Sequence, residues 1–171
     1  MAGNAFGKIG FIGLGVMGEP MCRNLARKSG MPVMGLDRDA APMQRLAADG
    51  VAAAASVAEV ARACDVIFLS LPSGEIVDAI ARQADGLLAH ARAGQFIVDL
   101  STSDVTMTRA LAQDFAGRGV VFVDAPVART RAAAEAGTLS VMVGASEADY
   151  ERVRPLIATF ASDISLCGPV G

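Results

Sequence analysis

Short apolar runs alternate with longer amphipathic stretches along the whole chain. Residues 8–12 form an apolar run that stops at a glycine and predict a first strand. Over residues 16–28 the apolar positions Met17, Met21 and Leu25 recur at helical spacing. Pro20 sits in the first turn of that helix, where a missing N–H costs little. A second strand is expected over 32–36, closed by Asp37, and a helix over 40–49, ending at Gly50. Residues 52–55 read as an alanine-rich turn or helix edge, and Ser56 as the N-cap of a short helix through Arg62. Residues 66–71 are continuously apolar until Pro72, the pattern of a strand buried on both faces of a parallel sheet. Further on, helices are expected over 75–83, from a Ser103 cap to about Arg118, and over 146–160. Strands are expected over 96–100, 120–123, 139–143 and 164–166.

This strand–helix rhythm predicts an α/β fold, a mostly parallel, doubly wound sheet with right-handed crossovers. No fixed-period repeat or low-complexity linker divides the 171 residues, so one domain over 1–171 is expected. Hydrophobic residues make up 53% and charged residues 19%, a globular balance. The net charge of -3 comes without a Lys/Arg cluster, which argues against a nucleic-acid partner. Cys22, Cys64 and Cys167 lie far apart and there is one histidine, so no metal site is expected. Reduced thiols fit a cytoplasmic protein. No basic-then-apolar leader opens the chain, and no apolar stretch approaches the roughly 20 residues of a membrane span.

The first candidate chemistry is Gly13-Leu14-Gly15-Val16-Met17-Gly18, placed between the first strand and the first helix. In that context the spacing is a dinucleotide fingerprint. Gly13 allows the tight turn, Gly15 leaves room for a pyrophosphate, and Gly18 lets helix and strand pack closely. The pyrophosphate meets the N–H groups at the positive end of the helix dipole. Asp37 stands about 20 residues beyond the loop, where the fold places the residue that reads the ribose hydroxyls. A carboxylate there favours NAD over NADP. Arg38 keeps NADP open, because a guanidinium beside the ribose can pair with a 2′-phosphate.

Further segments sharpen this reading. Leu71-Pro72-Ser73, Asp99-Leu100-Ser101-Thr102, Asp124-Ala125-Pro126-Val127 and the run from Gly137 to Gly144 follow the glycine loop in order. Together they resemble the β-hydroxyacid dehydrogenase family, the 3-hydroxyisobutyrate dehydrogenases among them. The resemblance implies a Rossmann-type NAD-binding domain, with Leu71 and Pro72 on the nicotinamide side and Thr102 near the nicotinamide ribose. It also implies an oxidoreductase that interconverts a small β-hydroxyacid and its aldehyde by hydride transfer, with Ser101 among the substrate-side residues. After Asp-Ala-Pro-Val the family continues Ser-Gly-Gly, whereas this chain reads Ala128-Arg129-Thr130. That stretch is similar to the sulfolactaldehyde-reductase branch. Arg129 and Thr130 are therefore expected to bind the anionic head of a hydroxyacid or hydroxy-sulfonate.

By the same resemblance, the proton-shuttling lysine opens a long helix just after a Cys-Gly-Pro-x-Gly-x-Gly segment. The chain ends at Cys167-Gly168-Pro169-Val170-Gly171, so that lysine and the family's helical C-terminal domain are expected to lie beyond Gly171. The domain alone is then expected to be inactive, with no catalytic residue of its own, and the intact enzyme to be a homo-oligomer through the helical domain. His90 reads as structural. Two rivals share the fingerprint: an imine-reductase-type enzyme, which lacks the lysine, and a nucleotide-binding module without catalysis.

Overall fold

The computed structural model describes residues 6–171. The elements run in the order β1 (Ile9–Ile12), α1 (Gly18–Lys28), β2 (Val33–Leu36), α2 (Ala40–Ala47), β3 (Ala52–Ala53), α3 (Val57–Ala63), β4 (Val66–Leu69) and α4 (Gly74–Arg82). They continue with α5 (Leu87–His90), β5 (Phe96–Asp99), α6 (Val105–Ala116), β6 (Val121–Asp124), β7 (Val127–Ala128), α7 (Arg131–Ala136), β8 (Leu139–Gly144), α8 (Glu147–Ile157) and β9 (Ala161–Gly168).

All strands join one sheet in the order β3-β2-β1-β4-β5-β6-β8-β7, with β9 paired to β8. The pairs from β3 to β6 are parallel. The direction reverses where Asp124 of β6 meets Gly144 of β8, and β7 is also antiparallel to β8. The chain thus starts in the middle of the sheet, winds outward through β2 and β3, then crosses back to β4. That reversal opens a crevice at the carboxyl ends of β1 and β4, where open α/β sheets hold ligands.

The strands are buried on both faces, as the unbroken apolar runs require. Val66 and Phe68 of β4, with Phe96 and Val98 of β5, pack on one side with Met21 and Leu25 of α1 and Leu156 of α8. Ile67, Leu69 and Ile97 point the other way, onto Val60 of α3, Val77 of α4 and Leu111 of α6. Phe68 is fully buried between Phe11, stacked at 6.0 Å, and Phe160, edge-on at 6.0 Å. Truncating such a ring typically costs about 3–5 kcal/mol.

Three details differ from the sequence reading. Residues 52 and 53, read as a turn or helix edge, form β3, because Met34 and Gly35 offer a parallel partner at the open side of β2. Asp104, not Ser103, caps α6: its carboxylate accepts the Thr106 and Met107 N–H groups at 2.9 and 3.1 Å. Ser103 is drawn inward instead, donating to Asp99 at 3.2 Å. The short elements β7 and α7 fill a stretch for which no element was predicted, and β9 begins three residues earlier than expected.

Candidate cofactor site

The glycine loop owes its shape to steric limits. Gly13 has φ +92°, and a Cβ on it would lie 2.2 Å from the Ser70 carbonyl oxygen. A Cβ on Gly18 would lie 1.9 Å from the Gly13 carbonyl oxygen. Only glycine meets both demands. Gly15 differs: a Cβ there would meet nothing within 4 Å, so nothing in the chain itself demands a glycine at this position. Leu14 turns its side chain into the core, while Val16 stands 64% exposed.

The loop is anchored to the strands beside it. Gly13 N–H donates to Leu36 O and Ser70 N–H to Ile12 O, both at 2.9 Å. Among the described residues, no N–H between Leu14 and Glu19 donates to another backbone group; Glu19 N–H is the first to do so, on Gly15 O at 3.1 Å. These are the orphan donors of a helix start, and they suit an anion.

Asp37 lies at the carboxyl end of β2. One carboxylate oxygen accepts the Leu14 N–H and the other accepts the Asp39 N–H at 2.8 Å. Each oxygen keeps a further lone pair for a hydroxyl donor.

A cleft of about 830 Å³ runs over the loop. Gly13, Gly15, Val16, Met17, Gly18, Asp37, Arg38, Leu71 and Pro72 line it; Leu14, expected among the cofactor residues, does not, because its side chain packs in the core and its N–H is taken by Asp37. Val57, Ile76, Ile80 and Gln83 line it too and were not anticipated. The four-residue spacing of Ile76 and Ile80 on α4 was the available signal. The volume lies within the usual range for small-molecule sites, and the open space at Gly15 fits a pyrophosphate. The residues present therefore fit a dinucleotide.

Ser101, Thr102, Arg129 and Thr130 do not line this cleft. Thr102 is exposed in the turn after β5. Ser101 is 3% exposed, and its Oγ accepts the Leu71 N–H at 3.0 Å. Arg129 has φ +91°, which side-chain-bearing residues rarely adopt. Its guanidinium donates to Ser140 Oγ at 2.8 Å and to Thr138 O at 3.0 Å, and lies 4.0 Å from the Asp163 carboxylate. Thr130 caps α7, accepting the Ala133 N–H at 3.4 Å.

Two carboxylates close the carboxyl ends of the next strands. Asp99 and Asp124 are register partners on β5 and β6. Burial pushes the Asp99 carboxyl above its ordinary range, against the hydrogen bonds from Ser101 and Ser103. Asp124 is raised by burial and then by the charge of Asp99. His90 sits away from the cleft between Arg62 and Asp85, at 3.2 and 3.3 Å. Among the described residues no His, Cys, Asp and Glu side chains gather as a metal site, and no helix is long and apolar enough to cross a membrane.

A family model described as the NAD binding domain of 6-phosphogluconate dehydrogenase matches residues 8–168. The 2-(hydroxymethyl)glutarate dehydrogenase of Eubacterium barkeri is 42% identical over 164 residues, covering 96% of this chain and 54% of that protein. A solved 3-hydroxyisobutyrate dehydrogenase of Mycobacterium tuberculosis, studied with L-serine, superposes with a TM-score of 0.89 at 36% identity, covering 96% of this chain and 55% of the other. The solved structure of Psf3 in complex with NADP+ and 2-OPP superposes at 0.86 with 34% identity, covering 92% and 55%. The chain spans about half the length of the curated relatives it matches.

Proposed function

The chain belongs to the family of NAD-binding domains described for 6-phosphogluconate dehydrogenase, with 3-hydroxyisobutyrate dehydrogenase-like β-hydroxyacid dehydrogenases as its relatives; from that premise we propose that it is the cofactor half of an oxidoreductase acting on a small anionic hydroxyacid or hydroxy-sulfonate. The observation that carries this reading is Gly15, whose Cβ direction is open space, at a helix start whose first N–H groups find no backbone acceptor. A pyrophosphate held there sends the adenosine half toward Asp37 and the nicotinamide half toward β4 and β5, given the strand order. Asp37, anchored by two backbone N–H groups, accepts from the ribose hydroxyls and repels a 2′-phosphate, so NAD is the preferred form. Val57, Ile76 and Ile80 give the adenine an apolar bed.

The nicotinamide supplies the hydride chemistry when bound; the chain orients it and excludes water. Arg129 and Thr130, beyond the β6 end of the sheet, hold the anionic head of the substrate. The guanidinium is already fixed on Ser140 and Thr138, which presents its remaining N–H donors without further ordering. No residue at the cleft is assigned the proton transfer, which falls to a lysine outside these 171 residues. The unpaired thiols of Cys22, Cys64 and Cys167 support a cytoplasmic location.

Titration of the purified chain with NADH and NADPH, followed by nicotinamide fluorescence, tests the reading. NADH is expected to bind more tightly than NADPH, and no steady-state oxidation of a hydroxyacid is expected from the 171 residues alone. Absence of binding by either dinucleotide, or turnover by the isolated chain, refutes it.

A further inference from the structure

Leu71 is held by a side chain from the turn that follows the neighbouring strand. Its N–H donates to Ser101 Oγ at 3.0 Å, linking the turn after β4 to the turn after β5. The Ser101 N–H in turn donates to one oxygen of Asp99 at 2.9 Å, and Ser103 Oγ donates to the other at 3.2 Å. Asp99 is 1% exposed and Ser101 3% exposed. A carboxylate and a hydroxyl are thus buried and hydrogen-bonded behind Leu71, which lines the cleft.

We propose that Asp99 and Ser101 are positioning residues that set Leu71, and through it the part of the cofactor cleft on the far side of Gly13 from Asp37. The inference rests on the dinucleotide reading above. Ser101 acts on the cofactor through Leu71 and not by touching substrate.

Three features support it. Asp99 is not needed to start α6, because Asp104 caps that helix alone with two N–H contacts. Burying a carboxylate is costly, and a neutral turn-former would suffice if only the turn mattered. Leu71 also sits where small displacements count: its Cδ2 lies 2.9 Å from the point where a Cβ of Gly13 would be, and the Ser70 carbonyl oxygen 2.2 Å from that point. A shift of the Leu71 backbone is therefore transmitted to the loop that meets the pyrophosphate.

The test compares NADH with AMP as ligands of the full chain, by isothermal titration calorimetry. AMP reports the adenosine half alone. Ser101→Ala leaves the part-buried Leu71 N–H without its acceptor, so NADH binding is expected to weaken about tenfold while AMP affinity stays within about twofold. Ser101→Thr, which restores the hydroxyl, is expected to recover NADH binding. Asp99→Asn, which keeps an oxygen for the Ser101 N–H, provides a second variant and is expected to show the same selective loss at about threefold. Equal weakening of both ligands, or no change in NADH binding, overturns the inference while the dinucleotide reading stands. If the unaltered chain binds neither ligand, both fall together.

Discussion

Asp37 accepts a hydrogen bond from the Leu14 N–H, so the carboxyl end of β2 and the glycine loop after β1 form one hydrogen-bonded unit. The residue proposed to choose the cofactor also holds the glycine loop in place. Asp37→Ala should therefore do two things. NADH affinity is expected to fall by about tenfold to a hundredfold, and the preference over NADPH to shrink, since a fixed negative charge is gone. Parallel titrations with the two dinucleotides check this, and an unchanged NADH-to-NADPH ratio would count against the assigned role.

Gly15 and Gly18 separate binding from folding. Gly15→Val places its side chain in open space, so its melting temperature is expected to match the parent while NADH binding is lost. Gly18→Ala puts a methyl 1.9 Å from a backbone oxygen and is expected to cost about 1–3 kcal/mol of stability. Thermal melts beside binding titrations read both; a destabilised Gly15→Val would contradict the open-space reading.

Glu19, buried in the first turn of α1, is gripped by Arg45 at 2.7 Å and Arg23 at 2.8 Å. The Arg45 hydrogen bond is the main cause holding its carboxyl down at about 2, against an ordinary 4.5, with Arg23 adding to it against the opposing effect of burial. A folded value below the unfolded one means a stabilisation fully present above about pH 4.5 and lost as pH falls toward 2. Urea midpoints taken across that window are expected to drop more steeply for the parent than for Glu19→Gln. Parallel pH profiles for the two proteins would refute the assignment.

The three thiols should differ sharply in reactivity. Burial pushes Cys22 up to about 12 and Cys64 up to about 11, while Cys167 is exposed on β9. A thiol reagent at neutral pH is expected to label one cysteine in the native chain and three after denaturation. Rapid native labelling of Cys22 or Cys64 would show that the core opens on the timescale of the assay.

The sheet and the glycine loop were legible in the sequence because both are local. Apolar runs declare strands, and the spacing of the three glycines between a strand and a helix is itself a local pattern, although the clash that fixes Gly13 comes from Ser70, just after another strand. The short elements were not. Two alanines have little intrinsic preference for a strand, and β3 exists because β2 offers an unpaired side. The choice of Asp104 over Ser103 as cap follows from Asp99, which recruits Ser103 from beneath. The bond from Leu71 to Ser101 spans 30 residues in sequence, and the left-handed turn at Arg129 has no glycine to announce it.

The two edges of the sheet are unequal. At one end β3 is two residues long, too short to template another chain. At the other, β9 runs for eight residues and, among the described residues, pairs only with β8. Register shifts at Leu139/Ser140 and Val143/Gly144 break the regularity of that pair, and Asp163 puts a charge on its strand. Strand addition by a second copy therefore has one direction open to it, and the irregular β8–β9 pair together with one acidic side chain is what stands in the way.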